Sequence, residues 1–322
     1  MDKQKNFKSK VLIFGLGYSG QRFANLIKKN HQVYFYAHRK NLQIPKYACS
    51  LNSLDELSSF RAAIISSPTS THLKYLKFCI KAKIPTLIDK PFTDSLKGVN
   101  QLVLQAREQN QLLMVGFNLR FLPVIKKIND LLDQKALGEI YHAQFYVGQY
   151  LPSWHPDKDY SKTYSANFSQ GGGVALDLIH ELDLAYYFFP EINLRPVFSE
   201  KVSRLKIDVE DLAIFQTKTK PFVQVKLDYL NRQLTRRYSI VGEKGSVDCD
   251  IINHEFAFTP QKGKTIKLTA KKYFDTKKTY ADELNHFFKL IENKTCSKLS
   301  ERSLALDALQ VAIKARKHVQ KS

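Results

Sequence analysis

Lys90 stands between Asp89 and Pro91 where the apolar run Thr86-Leu87-Ile88 ends, and a lone ammonium in such a place has a specific use. It can hydrogen-bond a carbinol or carbonyl oxygen and lower the cost of alkoxide character while a hydride leaves or reaches the neighbouring carbon. Asp89 is placed to hold that ammonium. Farther along, Gly171-Gly172-Gly173 leads into Val174-Ala175-Leu176-Asp177-Leu178-Ile179-His180-Glu181-Leu182-Asp183. The spacing predicts one helix with Asp177 and His180 on a shared face, able to meet on one substrate hydroxyl. Histidine titrates near neutrality, and general acid-base help is worth roughly 10²–10⁴-fold. The glycines let backbone come close to a ligand. Each feature alone has a plainer reading, a surface pair capping a strand or a satisfied core histidine.

A third motif gives them context. Lys10-Val11-Leu12-Ile13-Phe14 reads as a buried strand, Gly15-Leu16-Gly17-Tyr18-Ser19-Gly20 as a turn, and Phe23, Leu26 and Ile27 as one face of a helix. In such a turn the first glycine permits the bend, the second lets backbone approach a pyrophosphate, and the third lets helix pack on strand. The phosphates then sit at the positive end of the helix beginning near Ser19. Sites for NAD usually carry an acid about 20 residues past the fingerprint. Here that region reads Tyr36-Ala37-His38-Arg39-Lys40, with no carboxylate. His38 and Arg39 are the cofactor-side candidates, and the planar fork of Arg39 suits a 2′-phosphate, so NADP(H) is favoured while NAD(H) stays open. Strand, glycine turn, lysine, acid and histidine in this order point to a dehydrogenase.

The elements that must position these groups fall into two regions. From residue 10 to about 118, short unalternating apolar strands such as Ala62-Ala63-Ile64-Ile65 alternate with helix-period segments at 72–82 and 95–109. That pattern implies a doubly wound parallel sheet with both faces covered. Beyond about 120 strands dominate, expected at 139–149, 195–205, 211–217, 222–229, 235–241 and 246–250. Val223, Val225, Leu227 and Tyr229 alternate with Gln224, Lys226 and Asp228, the mark of an antiparallel sheet with one wet face. Two helices, near 280–292 and 300–318, close the chain. The expectation is a dinucleotide-binding α/β domain over 1–120 and an α+β domain over 121–322, whose large, mostly antiparallel open sheet serves substrate binding and oligomerisation.

The bulk properties narrow the partners. At 322 residues the chain buries a core without covalent staples. Cys49, Cys79, Cys249 and Cys296 are far apart with no histidine at ligand spacing, so neither a disulfide framework nor a metal site is expected, and a reducing cytoplasm fits. The polar start Met1-Asp2-Lys3-Gln4-Lys5-Asn6 and the short first apolar run indicate neither a signal peptide nor a membrane span. The net charge of +20 raises nucleic acid or another polyanion as a partner. Its lysines are spread over predicted helix faces and loops, which reads as a solvated surface and leaves an anionic small substrate compatible. The loop from Tyr150 to Tyr164, with Trp154, offers hydroxyls and aromatic faces suited to polyhydroxylated rings, although Trp154 serves equally as a packing anchor.

Taken together these residues resemble the Gfo/Idh/MocA oxidoreductase family over nearly the whole chain. The resemblance rests on the glycine fingerprint, Ser67-Pro68-Thr69 with His72, Asp89-Lys90-Pro91 in place of the usual Glu-Lys-Pro, Gly116-Phe117-Asn118-Leu119-Arg120-Phe121, and the triple glycine with Asp177, His180 and Asp183. It implies a Rossmann domain, oxidation of a secondary hydroxyl or reduction of a ketone on a sugar, inositol or nucleotide sugar, and a homodimer or homotetramer. It also implies Lys90, Asp177 and His180 as the catalytic set, with Arg120 and Tyr164 near the substrate, to which the aromatic loop adds Trp154 as a candidate. Gly15, Gly17, Tyr18, Ser19, Gly20, Ser67, Pro68, His72, Asp89 and Lys90 would face the cofactor. Many members space the acid and histidine Asp-x-x-x-His, one residue wider than here, which leaves open which of the two transfers the proton. The Leu151-Pro152-Ser153-Trp154 loop resembles members found with surface-sugar biosynthesis. The rival readings are a non-catalytic NAD(P)-binding regulator on the same fold and a polyanion-binding protein.

Overall fold

Strand β1 (Lys10–Phe14) lies inside a six-stranded parallel sheet, and four of its five residues are fully buried. The computed structural model describes residues 9–36, 44–154, 156–294 and 304–319. The chain divides into two compact units, Met1–Gly116 with Glu283–Leu304, and Phe117–Asp282 with Ala305–Ser322.

The first unit carries β1, β2 (Gln32–Tyr36), β3 (Ala48–Ser50), β4 (Ala62–Ile65), β5 (Thr86–Asp89) and β6 (Leu113–Gly116), in the order β3-β2-β1-β4-β5-β6. Every pairing is parallel. Helices α1 (Tyr18–Ile27), α2 (His72–Lys81) and α3 (Val99–Glu108) alternate with the strands. The expected helix at 95–109 begins only at Val99 because Gly98 takes φ +80 at its start. The order reverses between β1 and β4, and open sheets of this kind take ligands at the carboxyl ends of the strands beside that reversal.

The turn from β1 to α1 shows why three glycines are needed. Gly15 has φ +105, and a Cβ there would lie 2.7 Å from the Ser66 carbonyl oxygen. A Cβ at Gly20 would come 2.2 Å from the Gly15 carbonyl oxygen, so α1 packs directly on the turn. At Gly17 nothing lies within 4 Å of that position.

The second unit is built on an eight-stranded sheet with the order β14-β13-β12-β11-β7-β10-β9-β8. Its strands are β7 (Ile140–Gly148), β8 (Arg195–Glu200), β9 (Leu212–Gln216), β10 (Phe222–Asp228), β11 (Thr235–Gly242), β12 (Gly245–Asp250), β13 (Glu255–Pro260) and β14 (Ile266–Leu268). Neighbours are antiparallel except β7 and β10. The alternation read at 222–229 holds up to Leu227: Val223, Val225 and Leu227 are buried while Gln224 and Lys226 are partly open. Asp228, expected on the wet face, is instead buried, where it accepts the Tyr146 hydroxyl at 3.2 Å. The strand expected at 195–205 stops at Glu200. There the Asp211 carboxylate accepts the backbone N–H groups of Val202 and Ser203 at 2.8 and 3.2 Å, drawing the chain out of the sheet.

Helices α4 (Pro123–Asp133), α5 (Val174–Asp177) and α6 (His180–Phe188) belong to this unit, as does α8 (Leu306–Ala315). Between them in the chain, α7 (Thr276–Glu292) passes from the second unit to the first at Glu283. The single helix expected through Asp177 and His180 is instead two. Leu178 takes φ −98 and ψ 27, outside helical geometry, and α6 starts afresh at His180.

Replacing Gly20 by alanine is expected to cost about 1–3 kcal/mol by overpacking. Gly17→Ala, pointing into open space, should leave the melting temperature unchanged, and thermal unfolding of both variants checks the contrast.

Candidate active site

On the first unit the groups converge at the carboxyl ends of β1, β4 and β5. The backbone N–H groups opening α1 have no side-chain cap, and no acid occupies the first turn. Together with the empty space above Gly17, this leaves a cradle of donors at the positive end of a helix, which fits a pyrophosphate. Tyr18, largely exposed, carries the Arg22 guanidinium 4.6 Å above its ring. Ser19 lies in the first turn of α1. His38 and Arg39 fall outside the described residues.

After β4 the Ser67 and Thr71 hydroxyls lie 2.7 Å apart, and Thr71 also donates to the Pro68 carbonyl at 2.7 Å. His72, expected to line the cofactor, is buried instead between two carbonyl oxygens. Its Nε2 lies 2.8 Å from that of Ser67 and its Nδ1 3.0 Å from that of Pro91. Burial pushes this imidazole down, against the pull of those carbonyls and of Asp89. The ring therefore braces the turn after β4 against the residue that follows Lys90. Asp89 spends one carboxylate oxygen on the backbone N–H of Lys90, at 2.9 Å. The acid thus shapes the end of β5 through the main chain of Lys90.

On the second unit Asp177 and His180 are both buried. The Tyr229 hydroxyl donates to Asp177 Oδ2 at 2.6 Å. Burial, then the Asp177 charge, holds the Tyr229 phenol well above its ordinary range, so it stays a donor. Trp154 meets the Tyr229 ring edge to face at 5.3 Å, making it a packing partner of the residue that grips Asp177. Tyr164 is more than a third exposed. His180 is the first residue of α6, with its ring edge to face with Phe117 at 5.7 Å.

Two further acids of α6 are buried and paired. Glu181 Oε1 lies 2.8 Å from Arg236 Nε and accepts the Tyr238 hydroxyl at 3.2 Å. Asp183 takes a two-pronged contact from Arg120, with Nε donating to Oδ2 at 2.9 Å and Nη2 to Oδ1. Burial pushes both carboxyls up, and the arginines oppose it. Arg120, expected beside the substrate, is thus engaged on the helix that carries His180, stacked between the Phe117 and Tyr187 rings at 5.4 and 5.2 Å.

Sequence reasoning missed Tyr229, Glu210 and Arg236. Glu210 is fully buried, and its Oε1 accepts the Ala175 N–H at 3.1 Å. Burial, against bonds from Ala175 and Lys317, raises its carboxyl to about 7. The chain signal for it was present in Val209-Glu210-Asp211, adjacent acids inside an apolar stretch, where an unpaired charge would be costly. Among the described residues no group of three or more His, Cys, Asp or Glu side chains could hold a metal ion.

Sheet order, glycine turn and uncapped helix define a Rossmann unit built for a dinucleotide, joined to a second unit in which a large open sheet packs with the helices that carry a buried acid and histidine. Residues 9–117 match the model of an oxidoreductase family with an NAD-binding Rossmann fold, and residues 125–248 match the GFO/IDH/MocA C-terminal domain. The chain belongs to the Gfo/Idh/MocA oxidoreductase family. It is 23% identical over 311 residues, 88% of either chain, to a myo-inositol 2-dehydrogenase of Thermotoga maritima. A solved UDP-N-acetylglucosamine 3-dehydrogenase from Acidithiobacillus ferrooxidans superposes with a TM-score of 0.71 at 20% identity, over 95% of this chain and 97% of that one. An inositol dehydrogenase homologue from Azotobacter vinelandii, complexed with NAD+, gives 0.75 at 12% identity over 96% and 97%.

Between its ordinary pKa of 4.5 and about 7, Glu210 binds more proton in the folded than in the unfolded chain. Its stabilising contribution is therefore full below about 4.5 and lost as pH rises through about 7. Urea midpoints across that window should fall more steeply in the wild type than in Glu210→Gln.

Proposed function

We propose that the chain is an NADP(H)-preferring oxidoreductase that moves a hydride between the nicotinamide and a secondary alcohol or ketone carbon of a sugar, sugar derivative or nucleotide sugar, in surface-glycan biosynthesis. The observation that carries this reading is the buried Asp177 carboxylate held by Tyr229, three residues before a histidine that opens a new helix. A buried carboxylate held by a neutral phenol is fixed in place beside a histidine, and His180 is the group suited to exchange a proton near neutral pH. Relatives named as inositol and nucleotide-sugar dehydrogenases support a polyhydroxylated substrate.

In the oxidative direction His180 takes the hydroxyl proton, Lys90 donates a hydrogen bond to the oxygen as the carbonyl forms, and Asp177 orients the hydroxyl or shares its proton. The nicotinamide, when bound, supplies or accepts the hydride. Ketone reduction runs the same roles backwards. Arg120 supports this site through Asp183, while Trp154 and Tyr164 offer aromatic and hydroxyl contacts to the ring. Residues 1–120 serve the dinucleotide and 121–322 the substrate and self-association, the open sheet face pairing copies into a homodimer or homotetramer. No helix among the described residues is long and apolar enough to cross a membrane, and Cys49, Cys79 and Cys249 are free thiols, which suits a cytoplasmic enzyme.

Titration of NADPH and NADH by nicotinamide fluorescence tests the cofactor. NADPH should bind more tightly, and Arg39→Ala should erase that preference. Lys90→Met should retain binding and lose roughly 10²–10⁴-fold in turnover on inositols and nucleotide sugars. Tight binding with no turnover of any such alcohol or ketone by the wild type would favour the regulator.

A further inference from the structure

The acid closes, and the histidine closely follows, a helix too short to hold itself in place. Helix α5 has four residues, and an isolated turn of that length does not persist in water. Its geometry must come from outside, and the contacts that supply it lead to the end of the chain. The first N–H groups of α5 go to one residue: Val174 donates to the Glu210 carbonyl at 3.2 Å and Ala175 to Glu210 Oε1 at 3.1 Å. The other carboxylate oxygen of Glu210 accepts the backbone N–H of Lys317 at 3.2 Å. Gly173 takes φ +115 directly over this carboxylate, where a Cβ would stand 2.4 Å from Oε1.

Beside Lys317, Arg316 spans the glycine loop from end to end. Its Nη2 donates to the Phe168 carbonyl at 2.7 Å, its Nε donates to the Gly172 carbonyl at 3.3 Å, and its guanidinium lies 4.1 Å from the Phe168 ring centre. Val319 donates its N–H to the Asp208 carbonyl at 3.0 Å, and Asp208 Oδ1 in turn accepts the Phe168 N–H at 2.6 Å. The segment is itself tied to the sheet edge. Ser199 on β8 donates to the Ala315 carbonyl at 2.6 Å, and Lys317 pairs with Glu200.

We propose that residues 315–319 form a strap that positions the catalytic acid: Arg316 and Lys317, acting through the Phe168–Gly173 loop and Glu210, set where Asp177 and His180 stand. This rests on the reading that those two residues serve the reaction. Arg316 and Glu210 are positioning residues in this scheme. Proton transfer requires heavy atoms within about 2.6–3.2 Å, and a misplacement of about 1 Å costs on the order of 10²-fold, so a strap remote from the chemistry has leverage on rate. The strap grips the Phe168–Gly173 loop and Glu210, so its loss should fall on turnover rather than on cofactor binding.

The test uses the full chain with Arg316→Ala and Arg316→Lys, first by hydrogen exchange of the unliganded protein and then by kinetics. Arg316→Ala should speed exchange at Ala175 and across 168–178 at least 10-fold while the β10 and β11 amides keep wild-type rates. Its kcat should drop about 10-fold or more with KM and NADPH affinity within 2-fold, and Arg316→Lys, which keeps a donor for the loop, should recover part of both effects. Should Arg316→Ala fail to fold, as judged by circular dichroism, the lysine variant carries the same comparison at smaller amplitude. Wild-type exchange at 168–178 in a folded Arg316 variant would overturn the strap, as would exchange that rises equally throughout the second unit. Failure of the catalytic reading looks different: Asp177→Asn and His180→Ala would then turn over normally whatever the exchange shows.

Discussion

Helix α6 is buried at seven of its nine residues, and two ion pairs bear on how it is turned. Apolar packing is non-directional and would tolerate a rotation of such a helix. The two-pronged Arg120–Asp183 contact does not, because a charge-assisted hydrogen bond demands both distance and angle. Glu181 is held by Arg236 from β11 and Asp183 by Arg120 from the turn at 118–121, so the helix is gripped at two successive angles within its first turn. Removing either arginine would leave a buried carboxylate uncompensated, a loss of about 3–5 kcal/mol. The acids also lie at the positive end of α6, which adds a smaller favourable contribution. His180, one residue before Glu181, inherits its position from this arrangement.

The two units use different materials for their sites. The dinucleotide cradle is main chain, made by what Gly15, Gly17 and Gly20 lack, and braced by the His72 imidazole set between the Ser67 and Pro91 carbonyl oxygens. The substrate side is made of buried side chains in pairs: Tyr229 with Asp177, Arg236 with Glu181, Arg120 with Asp183. A main-chain cradle of this kind reads phosphate charge and span rather than side-chain chemistry. This division follows the general rule that function is grafted onto a fold at particular side chains.

Much of this was legible in the chain. Strand-glycine-helix at 10–27 gave the first unit because each glycine answers a separate steric demand, and the alternation at 222–229 gave the sheet and its buried face. Lys90, Asp177 and His180 stood out by type and neighbours. Partners brought from far along the chain stayed hidden: Tyr229 reads as one more apolar alternate of a strand, and nothing local says that its hydroxyl meets an acid 52 residues earlier. The partner of Arg120, Asp183, likewise lies 63 residues along the chain. The break between α5 and α6 was unreadable since both helices share one apolar pattern.

The central claim is that this chain passes a hydride directly between a nicotinamide and a carbon of a polyhydroxylated substrate. Its most direct test supplies the enzyme with NADPH deuterated at the transferable C4 position and a panel of keto-inositols and 3-keto nucleotide sugars, then reads the alcohol product by mass spectrometry and proton NMR. The account predicts one deuterium, bound to the carbon of the new secondary alcohol and retained in ordinary water. An alcohol product carrying solvent hydrogen at that carbon, or no alcohol from any ketone of the panel, would contradict it.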